Sequence, residues 1–266
     1  MTSTASIESI LARVVEQIAP VRGVRAIVLG GSRARGWNHA KSDIDIGLYY
    51  SGDLDIAALN SAATALDDTH REGLATERGG WGRWVDGGVW LLVDAVAVDL
   101  LYRDLVRVDQ VIADVQRGEF EIAYHVGHPH AYVSAAYAGE LAISRPLHDP
   151  EGLIVARKAQ LTPYPGTLQK ELIARFLGEA RFTLLLVEKG EAAQDALYTE
   201  GAAFRVVACL NQAIFALNRE WLINEKGAVK RAAVMALAPK DFATRATERS
   251  ELAALVEETE ALASQL

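Results

Sequence analysis

Cysteine is almost absent: the 266 residues contain one, Cys209. A single thiol cannot close an internal disulfide, which excludes a disulfide-built secreted domain. It sits in the apolar run 206–210 and reads as a small buried hydrophobe rather than a catalytic nucleophile. Long hydrophobic runs are missing too. Nothing approaches the ~20 uninterrupted apolar residues of a membrane helix, so no membrane partner is expected. Glu8 and Arg13 break the apolar pattern at the N-terminus, where a secretory signal would keep it, and a cytoplasmic protein is the expectation. Basic charge is the third shortage. Lys and Arg number 27 against 35 Asp and Glu, a net charge of −8. A general nucleic-acid binder needs a basic footprint to neutralise phosphates, so no nucleic-acid partner is expected, and a cationic acceptor is compatible.

Half the residues are hydrophobic, enough for one large domain or two modest ones. Ile7, Ile10, Leu11, Val14, Val15 and Ile18 recur at helical spacing, with Ser3 or Ser6 as cap and Pro20 just beyond. The short apolar run 25–29 suits a buried strand ending in a Gly30-Gly31-Ser32 turn. A second strand is expected over 43–50 and a helix over 55–68, with Asp53 or Asp55 capping it. The Gly- and Trp-rich stretch 79–88 contains Asp86-Gly87, a hairpin signal. Strands at 90–93 and 96–102 follow, joined by a tight turn at Asp94-Ala95, and Asp104 can cap a helix running to about Arg117.

Beyond that point the pattern reads as predominantly helical, with long apolar-periodic segments at 167–189, 196–219 and 247–265. The best linker is Thr162-Pro163-Tyr164-Pro165-Gly166. The fold class is α+β: a small mixed-sheet domain with flanking helices over 1–160, then an all-helical bundle over 161–266.

The informative segment runs from Leu29-Gly30-Gly31-Ser32-Arg33 to Ser42-Asp43-Ile44-Asp45. Side chains alternate along a strand, so Asp43 and Asp45 leave one face while Ile44 and Ile46 enter the core. Two like charges so placed repel, and a divalent cation turns the pair into an asset. Oxygen-only ligands suit Mg²⁺, which takes one or two carboxylates plus substrate phosphates. Without a Cβ at Gly30 or Gly31 the backbone can approach a polyphosphate and aim N–H groups at it. Ser32 and Ser42 offer hydroxyls, and Arg33 positive charge. Asp99 is the acidic residue inside the apolar strand Val96-Ala97-Val98-Asp99-Leu100-Leu101, where a buried charge needs a partner. A structural salt bridge would supply one; a metal shared with Asp43 and Asp45 is the alternative.

With these three parts in hand the chain resembles the DNA polymerase β-like nucleotidyltransferase superfamily over about residues 24–102. That pattern is a hydrophobic-Gly-(Gly/Ser) turn, a spacer, Asp-hydrophobic-(Asp/Glu) and a later carboxylate. Leu29-Gly30-Gly31-Ser32, Asp43-Ile44-Asp45 and Asp99 match it. The helical remainder is similar to the antibiotic-modifying branch, the kanamycin and streptomycin/spectinomycin nucleotidyltransferases. The resemblance implies two Mg²⁺ ions on Asp43, Asp45 and Asp99, with ATP or another nucleoside triphosphate as co-substrate. It implies triphosphate contacts from Gly30, Gly31, Ser32, Arg33, Ser42 and Lys226. The acceptor would be a small-molecule hydroxyl, aminoglycoside-like, on a monomer or a homodimer. By the same resemblance Glu179, in Arg175-Phe176-Leu177-Gly178-Glu179-Ala180, is a candidate general base, with Glu77 the competitor.

The remaining features have plainer readings. His125, His128 and His130 around Pro129 invite a zinc assignment, but with one cysteine and no carboxylate set at ligand spacing a loop is the reading. Trp81, Trp84 and Trp90 read as packing, with stacking on a base or acceptor ring as the alternative. An enzyme that adenylylates a protein and a nucleotide-binding protein without turnover are the competing functions. Both give way to small-molecule transfer, because the triad is complete and a large helical domain suits an enclosed site.

Overall fold

The computed structural model describes residues 6–35 and 43–266. In chain order the elements are α1 (Ile7–Ile18), β1 (Val24–Leu29), α2 (Gly31–Ala34), β2 (Ile44–Tyr50), α3 (Ile56–Leu66), β3 (Gly88–Val93), β4 (Val96–Asp104), α4 (Leu105–Arg117), β5 (Ile122–His125) and β6 (His128–Val133). There follow α5 (Ala135–Ile143), β7 (Arg145–His148), α6 (Leu153–Gln160), α7 (Gly166–Ala192), α8 (Ala196–Leu217), α9 (Ala228–Ala232), α10 (Phe242–Arg245) and α11 (Leu252–Ala263). Two compact units result. One comprises residues 1–112 and 140–162, the other 113–139 and 163–266. The chain thus leaves the first unit at residue 113, returns at 140 and leaves again at 163, whereas the sequence suggested a single division near 160.

The first unit is built on a five-stranded mixed sheet of order β3-β4-β2-β1-β7. Strands β2 and β4 are parallel and the other neighbours antiparallel. One face is closed by Ile10, Leu11, Val14 and Ile18 of α1 with Leu59 and Ala63 of α3, packed on Ile27, Ile44, Ile46, Leu48, Val98 and Leu100. Each such fully buried aliphatic contributes about 1.5–3 kcal/mol. A one-residue slip of β2 or β4 would turn all of them to the wrong face, so the register is strongly held. The same alternation sends Asp45 and Asp99 to the opposite face.

Local chemistry sets the element ends. Ser6 caps α1 by accepting the Ser9 N–H at 3.2 Å, and Asp55 caps α3 through Ala58 N–H at 3.0 Å. Asp67, at the end of α3, is fully buried and accepts from the Arg71 guanidinium at 2.5 Å and from Leu92 N–H of β3 at 3.0 Å. Its neighbour Asp68 accepts from Asp94 and Ala95 N–H, at 2.8 and 2.7 Å. Two consecutive carboxylates thereby anchor the β3–β4 hairpin to α3.

Four details change or add to the sequence expectations. Gly30-Gly31-Ser32 is not a bare turn: Gly30 occupies the cap position and Gly31 opens the single helical turn α2. Asp86-Gly87 makes no hairpin but leads into β3. The tight turn is Asp94-Ala95, where φ is 51° and 62°, the paired positive values that suit strand twist. The region after Arg117 is not purely helical, since β5 and β6 form a two-stranded antiparallel ribbon. Finally, β7 extends the main sheet at its edge beside β1. Its Pro146 disguises it in the sequence, because proline is confined to such edge positions.

In the second unit α7 and α8, of 27 and 22 residues, pack on each other and on α11. Phe176, Val206, Leu210, Ile214 and Leu255 are buried there. Among the described residues α8 is the one helix long and apolar enough to cross a membrane, but 72% of its most apolar window is buried inside the fold. It is a core helix of this unit.

Candidate active site

Strands β2 and β4 align Asp45 directly with Asp99, and the antiparallel pairing of β3 places Trp90 opposite Asp99. A row Trp90–Asp99–Asp45 therefore crosses three strands on the face away from α1 and α3. Asp43 stands just before β2 and is exposed. From the other side, Gly30 N–H donates to the Asp45 carbonyl at 2.8 Å, which brings the β1–α2 junction against β2. Gly31 has φ +59°, and a Cβ built on it would lie 1.8 Å from Asp45 Oδ2. Only glycine fits between this junction and the carboxylate.

The carboxylates strain against one another. Burial first, then the charges of Asp99, Glu140 and Asp43, push the Asp45 pKa up to about 6, with Arg33 opposing. Burial and Asp43 also raise Asp99, against a hydrogen bond donated by the Trp90 indole. Three oxygen donors, two of them partly buried and mutually repelling, are a donor set of the kind a hard divalent ion takes. Arg33 donates through Nε to the Asp43 carbonyl at 3.0 Å and so fixes the backbone that carries the first carboxylate.

The sequence reading missed Glu140 on α5. Its charge acts on Asp45 second only to that of Asp99 among the neighbouring groups. Buried Arg103, the residue that follows Tyr102 in β4, donates to Glu140 Oε2 from Nε at 2.9 Å and Nη2 at 2.6 Å. Glu140 was findable in principle, being the only charged residue in the apolar stretch 131–144. Trp90 is 52% exposed and stacks on Trp81 at 4.3 Å between ring centroids. The indoles are thus an open surface beside Asp99 rather than core.

Other candidates lie elsewhere. Glu77 is exposed in the loop ahead of β3, where its carbonyl closes a turn with Gly80 N–H. Ser42 and the Ser32 side chain lie outside the described residues. Glu179 and Lys226 belong to the second unit. Lys226 is exposed in the turn before α9, its N–H bonded to Asn224 Oδ1 at 2.8 Å. Glu179 is held by Arg205 at 2.6 Å, Arg175 at 3.2 Å and His130 at 3.4 Å. Burial pushes its pKa up, but the Arg205 bond and charge, with His130, overcome this and leave it below the ordinary value.

Residues 8–119 match the family model of the nucleotidyltransferase domain, a span that contains Asp43, Asp45 and Asp99. Over that span, less than half of the chain, it is similar to nucleotidyltransferase domains. Among solved structures it is similar to a nucleotidyltransferase-like protein from Exiguobacterium sibiricum 255-15, at 10% identity, with a TM-score of 0.43, over 98% of this chain and 75% of that one. A likeness so distant has no bearing on function. No curated protein matches.

Proposed function

We propose that this chain moves a nucleoside monophosphate, AMP from ATP, to a hydroxyl of a small-molecule acceptor, with aminoglycoside-like antibiotics as the acceptor class. The alignment of Asp45 with Asp99, against a glycine that admits no side chain, carries the reading. Asp43, Asp45 and Asp99 would hold Mg²⁺, which when bound neutralises phosphate charge and stabilises the attacking and leaving oxygens. Gly31 lets the α2 turn close on the Asp45 carboxylate, and the Gly30–Gly31 backbone with Arg33 is proposed as the triphosphate contact at α2. Ser32, Ser42 and Lys226 are proposed as further triphosphate contacts on the resemblance alone.

For proton removal from the acceptor hydroxyl, Glu140 is preferred to Glu179 and Glu77. A general base needs a fixed carboxylate near the reacting groups. Arg103 bonds Oε2 of Glu140, which anchors the side chain, and Glu140 acts electrostatically on Asp45. Glu179 belongs to the second unit, where Arg205 and Arg175 bind both of its oxygens. The cationic acceptor suits a site whose described side chains include four carboxylates.

The test is incubation with ATP and Mg²⁺ across aminoglycosides, spectinomycin and lincosamides, followed by mass spectrometry of the acceptor. One compound gaining the mass of a nucleoside monophosphate is the expected result. A protein that modifies none of them but adenylylates itself or another protein would replace the small-molecule reading. With the acceptor known, Glu140→Gln should lower kcat about 10²–10⁴-fold with nucleotide affinity little changed. An unaltered rate in Glu140→Gln and a collapsed one in Glu179→Gln would return the base role to Glu179.

A further inference from the structure

A second group of metal-ligating side chains lies in the helical unit, outside the carboxylate centre. His130 on β6, Glu179 on α7 and Cys209 on α8 bring one ligand atom each within 4.8 Å of one another. They are separated by 49 and 30 positions in the sequence, so no spacing motif announces them. All three side chains are almost closed to solvent: His130 is 4% and Glu179 9% exposed, and Cys209 is fully buried.

The three side chains also touch one another through hydrogen bonds, the Cys209 thiol bonding Glu179. A carboxylate offers about four lone-pair sites. Arg205 already bonds Glu179 Oε1 from Nε at 2.8 Å and Nη2 at 2.6 Å, and Arg175 reaches Oε2 at 3.2 Å. His130 Nε2 stands farther off, 3.4 Å from Oε1, and Cys209 Sγ lies 3.9 Å from His130 Nε2. These separations are at the long end for hydrogen bonds and also match the ligand atoms of one bound ion. Metal bonds of about 2.0–2.1 Å to nitrogen and oxygen and about 2.3 Å to sulfur, at a tetrahedral angle, set N···O edges of about 3.4 Å and N···S edges of about 3.6 Å. The first matches what is observed and the second lies within a few tenths of an ångström.

We infer that His130, Glu179 and Cys209 form a zinc site in the helical unit, with three protein ligands and a water or further ligand completing the tetrahedron. An imidazole, a thiolate and a carboxylate are the borderline-soft donor set that Zn²⁺ takes and Mg²⁺ does not. Uptake replaces the thiol proton: the S–H bond breaks, an S–Zn bond forms and the proton leaves to solvent. The surroundings supply an outer shell. Glu225 is pinned by the N–H groups of His130 and Ala131 at 3.0 and 3.1 Å and lies 4.0 Å from His130 Nδ1, the side on which zinc-bound histidines meet an orienting carboxylate. Arg175 and Arg205 fix the Glu179 carboxylate. The site joins β6, α7 and α8, and its role is structural.

The experiment uses the full chain with Asp45→Asn, so that the carboxylate centre does not compete, freed of metal and titrated with Co²⁺ and then Zn²⁺. One equivalent of Co²⁺ should bring up tetrahedral visible bands and a thiolate-to-cobalt charge-transfer band, both displaced by Zn²⁺. Zn²⁺, but not Mg²⁺, should raise the thermal midpoint. Cys209→Ser should lose the charge-transfer band, His130→Gln should weaken binding, and Glu225→Gln should cost about 10–100-fold in affinity. Circular dichroism checks that each variant folds. Absence of the charge-transfer band in a folded chain with Cys209 intact overturns the assignment, as does full zinc affinity in both Cys209→Ser and His130→Gln. The proposed transfer reaction stands or falls separately, on Asp43, Asp45 and Asp99.

Discussion

At the scale of the residue, the carboxylate centre is a place where stability is given up. An acid whose folded pKa is raised keeps its full contribution below the unfolded value and loses it as pH rises through the folded one. For Asp45 that window runs from about 4 to about 6. Above it the metal-free chain carries a penalty on the order of 2–3 kcal/mol. Asp45→Asn should therefore raise the thermal midpoint of metal-free protein at neutral pH by several degrees, with the gap closing in acid, while abolishing transfer. A variant less stable than the parent at neutral pH would mean that Asp45 is satisfied without a cation. Gly31→Ala makes the complementary prediction. Its Cβ would meet the Asp45 carboxylate in a backbone conformation that disfavours alanine, so transfer should fall at least about tenfold while the helical unit melts unchanged. Wild-type kinetics in Gly31→Ala would remove the close approach from the account.

Among the elements, legibility followed periodicity. Helix α1 and strands β2 and β4 were readable because their apolar positions repeat at 3.6 and 2 residues, and the caps at Ser6 and Asp55 were readable from residue type. The alternation Ile44-Asp45-Ile46 carried both the fold and the face on which the acids stand. Strands β5, β6 and β7 were not readable. The first two are only four and six residues long, IAYH and HPHAYV, with no run of strong strand formers, and β7 holds Pro146, which an edge position explains. Glu140 was hidden for another reason, since it comes to Asp45 through the return of the chain at residue 140. Three neighbouring histidines drew attention in the sequence, while the side chains His130 touches, Glu179 and Cys209, are distant in sequence.

Asp67 gives the element-scale prediction. The Arg71 bond, against the cost of burial and with help from Leu92 and Thr69, holds its pKa well below the carboxylate range. Its stabilisation is thus present above the unfolded pKa and lost as pH falls toward the folded one. Asp67→Asn should cost about 1–3 kcal/mol in urea unfolding at neutral pH, with faster hydrogen exchange in α3 and β3 and a difference that shrinks in strong acid. No change in exchange at Leu92 would contradict its role as the tie between helix and hairpin.

For the whole molecule, two units with separate cores imply two separable chemistries. Phe176→Ala should destabilise the helical unit by about 3–5 kcal/mol and leave calorimetric melting of the sheet unit in place. A single coincident transition that shifts as one would show that the units unfold together. The central claim concerns the sheet unit alone: nucleotidyl transfer at Asp43, Asp45 and Asp99. The most direct test is acceptor-dependent pyrophosphate release from Mg²⁺ and ATP, compared between the parent chain and folded Asp45→Asn and Asp99→Asn. The account predicts release in the parent, none with a chelator, and a loss of several orders of magnitude in both variants. Equal release from either variant would contradict it.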